Sequence, residues 1–235
     1  MLQKFLSSTR VTDKTADFNV LSLRGGKFNV REHQYLKFLR LFYKKAVRNI
    51  TPENSMSLVW RTHGREYLPI TLDFDCIRET AEVIPNEEFQ LLARDVTRCL
   101  VDASQLDLQL GVFLTRKPVY EKMYKGKKCF KTGVHLYLIG MEVTRRWALQ
   151  QYETLLKPVA AFCERNKIIN PAKNVLDKLV QPFGKNGMLF SGDYKKEGTG
   201  RYYIFLRALF SDGEYADVLH YTEDQRFETF EENYD

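Results

Sequence analysis

The chain has 235 residues, 44% hydrophobic and 28% charged, which excludes a disordered or collagen-like polymer and is enough to build a core without staples. Its formal charge is +6, but Glu223–Asp235 carries six acidic residues against one basic; residues 1–222 therefore hold +11, which points to a polyanionic partner. Cys76, Cys99, Cys129 and Cys163 form no C-x-x-C pattern, and neither a signal peptide nor an apolar run of about 18 residues is seen, so the expected setting is intracellular, away from membranes.

In chain order, residues 31–48 predict a helix. Tyr35, Leu36, Phe38, Leu39, Phe42, Tyr43 and Val47 recur at three- and four-residue steps, with Lys37, Arg40, Lys44 and Lys45 between them. Residues 56–60 and 67–75 predict strands joined by a turn at Thr62–Glu66. A helix is expected from Asn86, as its cap, to about Ala103. The alternation of Leu106, Leu108 and Leu110 predicts a strand over 106–114. Residues 116–131, with seven Lys or Arg against one Glu, are expected to form a basic loop. A strand at 133–140, a long helix at 145–166, a Lys/Asn/Gly-rich region at 166–201 and a strand at 202–210 complete the reading. Strands and helices mix without a βαβ rhythm, so the expected class is α+β.

The sharpest motif is Ile70-Thr71-Leu72-Asp73-Phe74-Asp75. Side chains alternate along a strand, so Leu72 and Phe74 share the core face while Asp73 and Asp75 project together from the other, roughly 7 Å apart. Paired carboxylates suit the hard ions Mg²⁺ or Mn²⁺, though two solvated strand-edge carboxylates fit the same pattern. The next motif is Lys131-Thr132-Gly133-Val134-His135. A histidine donor and a lysine charge can meet a phosphate, while a half-buried strand histidine is the plainer alternative. Farther on stand Val175-Leu176-Asp177 and Phe190-Ser191-Gly192-Asp193-Tyr194-Lys195. No Walker-type phosphate loop is present.

The order and spacing of these motifs resemble the archaeo-eukaryotic primase superfamily, nearest to the primase portion of the primase–helicases of large DNA viruses. The resemblance covers residues 56–196 and rests on Asp73-x-Asp75, Gly133-Val134-His135 and Leu176-Asp177, with Trp60-Arg61 more loosely. It implies a two-module primase core over 1–222, an N-terminal αβ unit and an RRM-like sheet unit enclosing a catalytic cleft, followed by an acidic tail or linker at 223–235. It also implies that Asp73, Asp75 and Asp177 hold two Mg²⁺ or Mn²⁺ ions. His135, Lys131, Ser191 and Lys195 would bind the nucleoside triphosphate. Related proteins often carry an arginine where this chain has Met188, and Lys185 or Arg201 are the substitutes at hand. The expected partners are single-stranded DNA and a replicative helicase on the same or another chain. Arg116, Lys122, Lys125, Lys127 and Lys128 are the candidate DNA contacts, and Tyr120, Tyr124 and Phe130 the candidate stacking platforms. The expected activity is template-directed nucleotidyl transfer, as a DNA primase or primase-polymerase. The alternatives are a non-catalytic single-strand-binding module and an Asp-x-Asp glycosyltransferase. The latter would need a nucleotide-binding α/β sheet ahead of the motif.

Overall fold

The computed structural model describes residues 2–13, 16–22, 25–31, 34, 37–38, 41–42, 58–105, 111–116, 119–189, 204–210 and 215–216. Two antiparallel sheets divide them. The first contains β1 (Arg10–Val11), β2 (Phe18–Ser22), β3 (Lys27–Phe28), β4 (Leu58–His63) and β9 (Met188–Leu189), in the order β1-β3-β2-β4-β9. The second contains β5 (Tyr67–Arg78), β6 (Gly111–Arg116), β8 (Lys127–Thr144), β10 (Ile204–Phe210) and β11 (Tyr215–Ala216), in the order β11-β10-β6-β8-β5; β7 (Tyr120–Tyr124) also pairs with β8. The expected α+β class is what these residues form.

The helices are amphipathic and cover one face of the second sheet. From α2 (Asn86–Ser104), Phe89, Leu92, Ala93, Val96 and Leu100 enter the core. From α3 (Arg145–Arg165), Ala148, Tyr152, Leu155, Val159 and Phe162 do the same. Both series step by three and four residues, which puts them on one helical stripe. They close over Ile70, Leu72, Phe74 and Cys76 of β5 and Val134, Leu136 and Leu138 of β8. The Phe89 and Phe162 rings, 5.5 Å apart, join the two helices. In the first sheet, α1 (Leu2–Ser8) and the helical residues 37–38 and 41–42 pack aromatics toward Trp60. Phe38 lies 6.3 Å from Phe5, 6.0 Å from Phe42 and 6.4 Å from Trp60.

Several expected boundaries change. Pro85, not Asn86, occupies the N-cap of α2, and no side chain caps it; proline suits a helix start because the missing N–H would have no intrahelical partner there. The α3 start is capped, with Trp147 N donating to Thr144 Oγ1 at 3.2 Å. The strand expected over 106–114 is described as β6 from Gly111, and residues 106–110 lie outside the described residues. The strand expected at 133–140 runs from Lys127 to Thr144. The basic loop expected at 116–131 is a hairpin: Tyr124 pairs with Lys127 across Lys125-Gly126, both with positive φ. Two central residues in the left-handed region match the right-handed twist of a hairpin, and Gly126 adopts that conformation freely. The rest of the helix expected at 31–48, and the acidic tail, lie outside the described residues.

Candidate active site

The antiparallel register of β5 and β8 assembles the site. Asp73 stands opposite His135, Asp75 opposite Gly133, and Ile77 opposite Lys131. Cross-strand partners share a face. The intervening residues, Leu72, Phe74, Val134 and Leu136, are in the core, so Asp73, Asp75, Lys131 and His135 lie on the face away from the helices. On the far side of β8, Thr115 of β6 continues the Asp73–His135 row.

Asp177 joins this row through the edge of β5. Phe74 forms an antiparallel bridge with Leu176, and Asp177 N donates to Asp73 O at 2.9 Å. Leu176 is in the core beside Phe74; one residue on, Asp177 is level with Asp73 and on its face. The Asp177 carboxylate accepts from Leu179 N at 2.8 Å, closing a tight turn.

Three side chains, none singled out by sequence reasoning, hold the 169–181 segment in place. Asn170 accepts from Ile77 N at 2.9 Å and donates to Asp75 O at 2.8 Å. Its carboxamide thus replaces a neighbouring strand. Gln181 does the same for β4, accepting from Thr62 N at 2.9 Å and donating to Thr62 O at 2.8 Å, while its own carbonyl accepts from Thr71 Oγ1. Tyr152 of α3 donates to Leu176 O at 3.0 Å. Asn170-Pro171 and Gln181-Pro182 were the available sequence signals, since proline marks breaks where side chains often complete the backbone bonding. Gly184 permits the tight return: a Cβ there would lie 2.0 Å from Leu179 O.

The charges are paired. Lys131 Nζ lies 2.5 Å from Asp75 Oδ2. Burial pulls the Lys131 pKa down, but the adjacent Asp75 carboxylate, aided by Tyr120 and Asp73, more than offsets this and holds it above the ordinary lysine value. His135 Nε2 is 3.5 Å from Asp73 Oδ1, and its Nδ1 is 3.3 Å from the Tyr137 hydroxyl. On the core side, Cys76 is pushed up by burial, then by Cys163 and the charges of Asp75 and Asp73. All four cysteines are free thiols.

The all-oxygen set of Asp73, Asp75 and Asp177 fits a hard divalent cation in donor chemistry and in backbone placement. Among the described residues, however, no group of three or more His, Cys, Asp or Glu side chains is gathered as a metal-holding cluster. Asp75 is directed at Lys131, and Asp177 at its own turn.

The basic hairpin adjoins this face. The pairs Tyr120–Lys131, Lys122–Cys129 and Tyr124–Lys127 lie on the Asp75–Lys131 side, whereas Glu121–Phe130 and Met123–Lys128 lie on the reverse. Lys122, Lys125, Lys127 and Lys128 are exposed, but Lys128 is bound to Glu121 at 2.7 Å. Lys125 lies over the Tyr124 ring at the tip. Arg116 ends β6 opposite Val134. Met188, at the expected arginine position, is a buried residue of β9 paired with Trp60, and Lys185 is exposed. Ser191, Lys195 and Arg201 lie outside the described residues.

The family model described as the C962R protein N-terminal AEP domain matches residues 19–205. No curated protein matches the chain. Among the described residues, no helix is long and apolar enough to cross a membrane.

Proposed function

The chain belongs to the C962R N-terminal AEP domain family, AEP denoting the archaeo-eukaryotic primase domain, and from that membership we propose that it is a primase or primase-polymerase catalytic domain. It adds nucleotides from nucleoside triphosphates to a strand paired with a single-stranded DNA template during DNA replication, within a cell and alongside a helicase on the same or another chain. The observation that carries this reading is the row Asp177–Asp73–His135, formed from three segments far apart in sequence.

Asp73, Asp75 and Asp177 would hold Mg²⁺ or Mn²⁺, which when bound lowers the pKa of the attacking hydroxyl and neutralises charge on the phosphates. Lys131 and His135 hold the triphosphate beside those carboxylates. Such chemistry needs positioning and charge neutralisation more than covalent help. Lys122 and Lys127 draw the template phosphates toward the same face, with Tyr120 and Tyr124 as stacking surfaces. The Ser191–Lys195 segment completes the triphosphate contacts in this proposal. The six-stranded sheet, together with the strands before it, provides the cleft.

A primer-extension assay with Mn²⁺ or Mg²⁺ tests the proposal. Asp73→Ala and Asp75→Ala should each lower extension by about 100-fold or more, beyond the usual cost of losing a residue that only supports a metal ligand. Extension unchanged in both variants would end the reading. A non-catalytic single-strand-binding module is the second reading, favoured by the direct Lys131–Asp75 pair; it predicts DNA binding without product under either metal. The glycosyltransferase alternative lacks its required α/β sheet, since the described strands ahead of Asp73 pair antiparallel.

A further inference from the structure

Lys131 and Asp75 form a close pair in a protected position. The lysine side chain is 13% exposed and the aspartate 36%, with Nζ–Oδ2 at 2.5 Å. The register explains the reach. Gly133 stands directly opposite Asp75 and brings no side chain, so the diagonal residue Lys131 can cross to the carboxylate. Among the described residues this is the cation on Asp75, and it sits at an oxygen that the proposed reading gives to a divalent ion. A largely buried ammonium cannot simply retreat into water, and a divalent ion next to it is repelled unless an anion intervenes.

We propose that Lys131 is a resident counter-ion that keeps Asp75 from binding a divalent cation until a polyphosphate takes the ammonium away. The inference rests on the nucleotidyl-transfer reading and adds a specificity rule to it. The ligand that completes the site is a metal–triphosphate chelate, because its phosphate oxygens receive Lys131 while its metal receives Asp75. Free metal meets an occupied carboxylate and free triphosphate leaves Asp75 uncompensated, so each ligand favours the other. Thermodynamic linkage makes the coupling reciprocal.

The test is uptake of Mn²⁺ alone, followed by the free-ion electron paramagnetic resonance signal, for the wild type, Lys131→Met and Lys131→Arg, with folding checked by thermal melting. Lys131→Met removes the charge and should tighten Mn²⁺ binding about tenfold, within the usual range of coupling between sites. Lys131→Arg retains the charge and should stay within about threefold of wild type, which a merely structural role for the side chain would not require. Lys131→Gln replaces Lys131→Met if the latter does not fold. Mn²⁺ affinity unchanged or weakened in the neutral variant would overturn the proposal. If that result came with normal Mn²⁺-dependent extension by the wild type, the counter-ion role alone would fall. If no variant took up Mn²⁺ and the wild type made no product, both readings would fall.

Discussion

Asn170→Ala tests the claim that a carboxamide stands in for a strand at the edge of β5. Asn170 is 3% exposed, accepts from Ile77 N and donates to Asp75 O, with a longer bond to Asn174 O at 3.3 Å. Alanine removes these partners and leaves a backbone N–H and a carbonyl of β5 to be satisfied elsewhere. A buried polar group left unmatched costs about 1–3 kcal/mol. Two such groups, with some relief from water at the edge, give a loss of about 3 kcal/mol. For a domain of this size that is a fall of about 6–12 °C in melting temperature. The assay is thermal melting followed by circular dichroism, with Asn174→Ala as control. The Asn174 side chain is exposed and the β5 edge uses only its backbone, so the control should melt within about 2 °C of wild type. An Asn170→Ala protein that also melted within 2 °C of wild type would refute the strand-substitute argument.

Lys122→Ala and Lys127→Ala should each weaken single-stranded DNA binding across sequences and reduce the salt slope by about 0.7, the contribution of one phosphate contact; Lys128→Ala, already neutralised by Glu121, should change the slope least, and equal effects for all three would contradict the two-faced hairpin. Gly184→Ala should lower the melting temperature by about 10 °C or more, since its Cβ would fall 2.0 Å from a backbone oxygen, and a melt like wild type would refute the close approach. Burial raises Cys163 to about 11 and also raises Cys76 and Cys99. These thiols therefore stay protonated at pH 8, where an unfolded cysteine is partly thiolate; a thiol reagent should label the native chain far more slowly than the guanidinium-unfolded chain, and equal rates would count against the buried placement.

Asp73 and Asp75 share a face as the sequence predicts because alternation belongs to the extended backbone: once a segment is a strand, residues two apart point the same way whatever surrounds them. The helices α2 and α3 also form close to their expected bounds, and their buried residues fall on one stripe by the same kind of local periodicity. The hairpin within 116–131 is hidden in the sequence because the charge pattern of the segment outweighs the turn signal at Lys125-Gly126. Alternation in Tyr120–Tyr124 is weak when most of a hairpin is exposed. The α2 cap lies one residue before the expected one: Asn86 has a capping side chain, but the backbone puts Pro85 in that position.

The sequence by itself determined that two carboxylates share a strand face, that a histidine lies in a second strand with a lysine four positions before it, and that the body is basic. It could not determine register, because pairing Asp73 with His135 depends on hydrogen bonds between chains of residues some 60 positions apart. Nor could it place Asp177 beside Asp73 or Lys131 on Asp75. Those neighbours are set by how the 169–181 segment completes the edge of β5 and by the absence of a side chain at Gly133. Both depend on satisfying backbone groups and filling space across the sheet, which exist only once the sheet has formed.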